Sequence, residues 1–283
     1  MNQEMYQKVI DANIAIYNTI SKHYDTCEPH YRPENVAQVE NKLKNIFAET
    51  DASKMLDLGC GTGFLIDIAK KYVPIIDGVD VTPAMLEKVD KSGNARITLY
   101  TSDTGSFPVK DGYYDVVTAY SFLHHLYDIK PTCITAAKAL KKGGKFYNDL
   151  DPNFYYWEQI NSLQRGGDYH PIINREIEMV TYKDEDIEKN FGVSKDDFNH
   201  AEFGKNIAGG FKEETLRETL LSSGFSKVEF FYYWFLGQAS IVNDPNSSKA
   251  DNLKQAALMD NSLQNILPLS RHLYKYLGFI ATK

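Results

Sequence analysis

Asp57, Gly59, Gly61 and Gly63 stand at spacing two in the run Lys54-Met-Leu-Asp-Leu-Gly-Cys-Gly-Thr-Gly-Phe-Leu65. Glycines so placed let the chain turn tightly and bring bare backbone against a ligand, where a Cβ would obstruct both. Met55 to Leu58 is an apolar run broken only by Asp57, and it reads as a buried strand. From Thr62 to Lys71 the residues Leu65, Ile66, Ile68 and Ala69 fall at helical spacing. Strand, glycine turn and helix together receive a nucleotide-like ligand at the carboxyl edge of a parallel sheet. Roughly 20 residues past the glycines, Asp80 closes a second apolar run, Ile75 to Val79. A carboxylate there can accept hydrogen bonds from both hydroxyls of a ribose. Asp103 follows a third strand, and His124-His125 follows a fourth. Imidazole titrates near neutral pH, so this pair is a candidate for moving a proton.

The elements that must hold these residues follow from periodicity. An amphipathic helix is expected over residues 1–20, with Ile10, Ile14, Ile16, Tyr17 and Ile20 as its stripe. A loop punctuated by Pro29 and Pro33 follows, and Pro33 opens a second helix carrying Val36, Val39, Leu43, Ile46 and Phe47. Thr82 and Pro83 read as N-cap and first residue of a helix after Asp80. Arg96–Tyr100 and Val116–Tyr120 are the third and fourth strands, Pro131–Leu140 a helix stopped by Lys141-Lys-Gly-Gly144, and Lys145–Leu150 the fifth strand. Residues 211–221 form a helix, Val228–Leu236 strand six, Asp251–Leu267 a covering helix and Tyr276–Thr282 the last strand.

The pattern D-x-G-x-G-x-G of residues 57–63 resembles motif I of the class I S-adenosylmethionine (SAM)-dependent methyltransferases. The run D-V-V-x-x-x-x-x-x-H-H from Asp115 to His125 is similar to a large small-molecule branch, the ubiquinone/menaquinone type among them. Ser121-Phe-Leu-His-His-Leu126 departs from the N-P-P-Y of enzymes that methylate adenine N6 or glutamine side chains. The resemblance implies an α/β fold: a Rossmann-like, seven-stranded, mostly parallel sheet with helices on both faces, strands six and seven forming an antiparallel edge pair. It divides the chain into an N-terminal helical cap (1–53), a SAM-binding core (54–150), an inserted lid or acceptor region (151–210) and a completion of the core (211–283).

It further implies cofactor contacts from Asp57, Gly59, Gly61, Gly63 and Asp80, from Val81 and Met85 beside the adenine, and from Asp103 and Thr104 at its amino edge. Tyr120 at the end of strand four and Tyr24 and Tyr31 from the cap complete that set. His124 or His125 is the candidate base, needed only where the acceptor starts protonated. Asp149 and Asp151 could hold an amine or a divalent cation, although a turn-forming Asp before Pro152 is the preferred reading. His170 and His200 read as surface or lid residues.

The implied activity is methyl transfer from SAM to oxygen, nitrogen or carbon of a small molecule. The aromatics Tyr155, Tyr156, Trp157 and Tyr169, with Phe230 to Trp234, suit an apolar or aromatic acceptor, and an amine stays open because aromatic faces attract cations. A SAM-binding protein without methyl transfer is the main alternative. A nicotinamide oxidoreductase is weakened because Phe64 and Leu65 stand where G-x-G-x-x-G needs its last glycine. A net charge of -7 over 283 residues disfavours nucleic acid as partner. Cys27, Cys60 and Cys133 are scattered, so no disulfide framework and no zinc site is read, and no metal is expected. That usage suits the cytosol. No leader peptide, membrane span or membrane partner is read either.

Overall fold

The computed structural model describes residues 2–180 and 184–283. Its centre is one seven-stranded sheet: β1 (Lys54–Leu58), β2 (Ile75–Asp80), β3 (Arg96–Thr101), β4 (Tyr114–Tyr120), β5 (Leu140–Pro152), β6 (Lys227–Phe235) and β7 (Tyr274–Thr282). The order is β3-β2-β1-β4-β5-β7-β6; the first five strands run parallel and β7 is antiparallel to both of its neighbours. The parallel strands read as near-continuous apolar runs because both faces are covered. Met55, Val116 and Tyr147 point into one apolar cluster, and their chain neighbours Leu56, Val117 and Phe146 into the other. That is the alternation a pleated strand imposes.

The N-terminal cap consists of α1 (Gln3–Ile20), α2 (Tyr24–Cys27), a 3₁₀ turn (Pro29–Tyr31) and α3 (Pro33–Thr50). Val39, Leu43, Ile46 and Phe47 of α3 join the cluster that holds Met55, as their spacing predicts. Within the sheet region lie α4 (Phe64–Ala69), α5 (Pro83–Leu86) and α6 (Lys130–Ala139). The segment after β5 carries α7 (Phe154–Asn161), α8 (Pro171–Val180), α9 (Asp184–Phe191), α10 (Lys195–Ala201) and a π-helical turn (Phe203–Ile207). Then follow α11 (Glu213–Ser222) before β6, and α12 (Gln238–Val242) and α13 (Lys249–Gln264) before β7. Among the described residues no helix is long and apolar enough to cross a membrane.

Three expectations need correction. The stripe of α1 is shifted: Val9, Ala12, Asn13 and Ile16 are its buried positions, because the helix packs against α9 and α10, with Ala12 and Ile16 meeting Ile187, Phe198 and Ala201. Lys141 to Gly144 does not merely stop α6; β5 begins at Leu140, with a register shift opposite Tyr114 and Val116. Asp151 is not a turn residue, since antiparallel pairing of Asp151 with Leu277 and Pro152 with Tyr276 carries β5 on past Leu150. Cys60 and Cys133 are buried free thiols, while the side chain of Cys27 lies outside the described residues.

Candidate active site

The site grows from the turn after β1. Gly59 and Gly61 both take positive φ, +71° and +52°, a region that costs other residues steric strain. A Cβ built on Gly59 would overlap the Phe122 ring, so the turn and the loop after β4 fit together only because that side chain is missing. Beneath the turn, both oxygens of Asp80 are engaged: Oδ2 accepts the N–H of Gly61 at 2.9 Å and Oδ1 that of Thr82 at 2.8 Å. Burial pushes the Asp80 carboxyl above its ordinary value, opposed by those backbone donors. Asp57 is buried in β1, and desolvation raises it to about 7 against the hydroxyl of Thr118, which donates at 2.7 Å.

These residues open on one cavity with about 950 Å³ of space between its walls, solvent at its mouth included. Asp57, Gly59, Gly61, Asp80, Val81, Met85, Asp103, Thr104, Tyr120, Tyr24, Tyr31 and His125 all line it. Gly63 and His124 do not. Gly63 instead caps α4 at φ +95°, with Val89 packed where its Cβ would lie. Asp103 does two things: its carboxylate closes its own turn by accepting the N–H groups of Gly105 and Ser106, and it meets Tyr6 from α1.

The cap wall is the part sequence reasoning missed. Tyr6, Val9, Ile10, Asn13 and Tyr17 of α1 line the cavity, with His30, Thr62 and Phe122. The signal was present as one helical stripe, 6-9/10-13-17, but its polar members hid it from an apolar count. Tyr31 ties the cap to the glycine turn: the Thr62 hydroxyl donates to Asp25 at 2.6 Å and so accepts from Tyr31 at 2.6 Å. His30 packs against Tyr31 and Phe64 with ring centroids 4.8 Å apart in each case, and burial lowers its imidazole to about 4. Ser121, also on the wall, holds a positive φ of +50°. Strain of that kind in a non-glycine residue concentrates at functional sites.

The two adjacent histidines diverge at the 3₁₀ turn Leu123–His125. Nδ1 of His125 lies 2.7 Å from the Ala201 carbonyl, which can only accept, so Nδ1 carries the hydrogen. Nε2 then accepts the Tyr17 hydroxyl at 3.0 Å. Desolvation, with His124 beside it, lowers His125 to about 4, so the ring is neutral. Burial keeps the Tyr17 phenol well above its ordinary range. His124 turns the other way: its Nδ1 and its backbone N–H meet Oδ1 of Asp151 at 2.7 and 3.0 Å. Asp151 is fully buried and its other oxygen accepts from Asn148 at 2.8 Å. Glu202 approaches both rings; burial opposes its ionisation, but Lys205 holds its carboxyl well below the usual range.

Residues 56–148 match a protein family described as a methyltransferase domain. Over these residues the chain carries a methyltransferase domain. The methyltransferase domain thus spans β1 through most of β5, the part of the sheet that bears the glycine turn. A ubiquinone biosynthesis O-methyltransferase of Idiomarina loihiensis is 31% identical over 137 residues, 44% of this chain and 52% of that protein. An 18S rRNA (guanine-N(7))-methyltransferase of Schizosaccharomyces pombe is 27% identical over 146 residues, 50% of each chain. The chain spans about half the length of these two curated relatives. A putative sarcosine dimethylglycine methyltransferase from Galdieria sulphuraria superposes with a TM-score of 0.52 at 17% identity, covering 88% of this chain and 87% of that one. A SAM-dependent methyltransferase from Archaeoglobus fulgidus gives 0.51 at 16% identity, with 88% and 94% covered. At such identities these two establish likeness of fold.

Proposed function

We propose that the protein transfers a methyl group from SAM to a small-molecule acceptor. The observation that carries the reading is that the glycine turn, Asp80 and the Tyr17–His125 pair share a single cavity, with the cap helix α1 as its wall. The residues suit the cofactor: Gly59 and Gly61 put bare backbone on the cavity wall. Each Asp80 oxygen accepts one backbone N–H and keeps a further lone pair for a ribose hydroxyl. Val81, Met85, Asp103 and Thr104 offer an apolar slot with a polar edge for adenine.

SAM, when bound, supplies a methyl group already activated on a sulfonium. The chain's own task is then positioning, which can be worth ~7–11 kcal/mol where two reactants are held in near-attack geometry. Tyr17 and His125 form the polar end of the cavity and orient the acceptor heteroatom between them and the aromatic rings of Tyr24, His30 and Tyr120. The helical cap 1–53 excludes water from that end, and residues 151–210 support it by gripping α1 through α9 and α10. A cavity walled by a helix favours a small acceptor over a macromolecule, and the net charge of -7 favours it too. Cytosolic placement belongs to the same proposal, on the scattered cysteines.

The test is incubation of purified protein with methyl-labelled SAM and either a metabolite extract or ribosomal RNA. Label in low-mass products supports the reading. Label confined to RNA, or no measurable affinity for SAM or S-adenosylhomocysteine, overturns it.

A further inference from the structure

Behind the cavity, polar groups gather around His124, with His125 the one member shared with the cavity wall. One ring nitrogen of His124, one of His125 and one carboxylate oxygen of Glu202 lie within 4.8 Å of one another. Nε2 of His124 is 3.8 Å from Oε2 of Glu202, and Nδ1 of His125 is 3.7 Å from Oε1. A transition ion bound at ~2.0–2.2 Å to imidazole nitrogen and carboxylate oxygen keeps its ligand atoms ~3–4 Å apart. The observed spacings therefore need only small side-chain adjustments.

The partners of His124 sharpen the point. Its Nδ1 is committed to Asp151, an acceptor, so in the neutral ring the lone pair sits on Nε2 and faces the Glu202 carboxylate. Two lone-pair atoms facing one another in a buried site are held together by a proton or by a metal ion between them. Asp151 is itself fixed by Asn148 and by the His124 backbone. A carboxylate that orients an imidazole in this way is the usual outer support of a metal-bound histidine. Glu202 also opens directly into the π-helical turn Phe203–Ile207, a rare geometry that is frequent at functional sites.

We propose that His124, His125 and Glu202 bind a divalent transition ion beside the acceptor end of the cavity. Two imidazoles and one carboxylate favour zinc, iron(II) or nickel over magnesium or calcium, which prefer all-oxygen sites. His125 gives up one of its present partners, Ala201 or Tyr17, on binding. Lys205, 3.2 Å from Oε2 of Glu202, is the cation that balances this carboxylate otherwise, and it competes with the ion.

The test uses the full chain, stripped of metal by chelator and kept free of SAM and acceptor, titrated with Zn²⁺ by calorimetry. One saturable equivalent is expected. Asp151→Asn weakens it ~10–100-fold, the usual cost of losing an outer support, and Glu202→Gln weakens it further. Lys205→Gln tightens binding, because its competing charge is gone. His170→Ala, at an exposed position, leaves the affinity unchanged, and circular dichroism checks that each variant is folded. Absence of saturable binding, or an affinity indifferent to both Glu202→Gln and Lys205→Gln, overturns the site. Such a failure leaves methyl transfer standing, and failure to bind SAM leaves the metal site standing.

Discussion

Gly59 offers the most direct test of how the cradle is built. Replacing it with alanine asks a residue with a Cβ to hold φ +71° and to share space with the Phe122 ring. The backbone term costs ~1–2 kcal/mol, and forcing extra atoms into a packed site ~1–3 kcal/mol. Gly59→Ala should thus lose on the order of 2–5 kcal/mol of stability, unless the ring yields instead. A ring pushed aside enters the cavity that Phe122 lines, and affinity for S-adenosylhomocysteine then falls by about tenfold or more. The double variant with Phe122→Ala separates the two terms. It removes the overlap and leaves the backbone strain, so the pair should couple by ~1–3 kcal/mol in the direction of rescue, as contacting residues can. Denaturant unfolding of the four proteins measures the coupling, with calorimetry of S-adenosylhomocysteine alongside. Coupling within ~0.5 kcal/mol of zero, the additivity of independent sites, refutes the fit described between the glycine turn and the loop after β4.

Asp57 predicts a pH dependence. With its folded value raised to about 7, the folded chain keeps a proton that the unfolded chain releases at lower pH, so this residue's contribution to stability falls as pH rises from about 4 to about 7. A cationic ligand favours the ionised form, so SAM affinity should rise with pH up to about 7 and level off above it. Asp57→Asn should flatten that rise; an unchanged profile would reject the assignment. Tyr17→Phe removes the 3.0 Å bond to His125, worth ~0.5–1.5 kcal/mol net. It should lower kcat/KM about 2- to 10-fold while S-adenosylhomocysteine affinity stays level, and an equal loss in both would return Tyr17 to a purely structural role. His124→Ala takes the imidazole from the buried Asp151 carboxylate, leaving it Asn148 and one backbone N–H, and should cost ~1–3 kcal/mol in a denaturant melt. A loss under ~1 kcal/mol would show that the pair carries no such weight.

What the sequence by itself determined is local in origin. Glycines at spacing two, an aspartate closing the next apolar run and strands apolar at most positions are patterns written within a few positions. Each reports a backbone need or a burial that holds wherever the segment sits. The sheet order, with β7 between β5 and β6, agrees with the arrangement implied by the methyltransferase motifs. The tertiary structure decided the rest, because it depends on what meets what across the fold. Two consecutive histidines look alike in sequence, but the 3₁₀ turn sends His125 to the cavity and Tyr17, and His124 to Asp151. Asp151 reads as a turn residue until pairing with β7 makes it the buried end of a strand. Glu202 lies 77 residues past His125 in the chain, yet the π-helical turn brings it to both rings. No local pattern encodes such meetings: a side chain's role there is set by the burial and partners that distant segments supply.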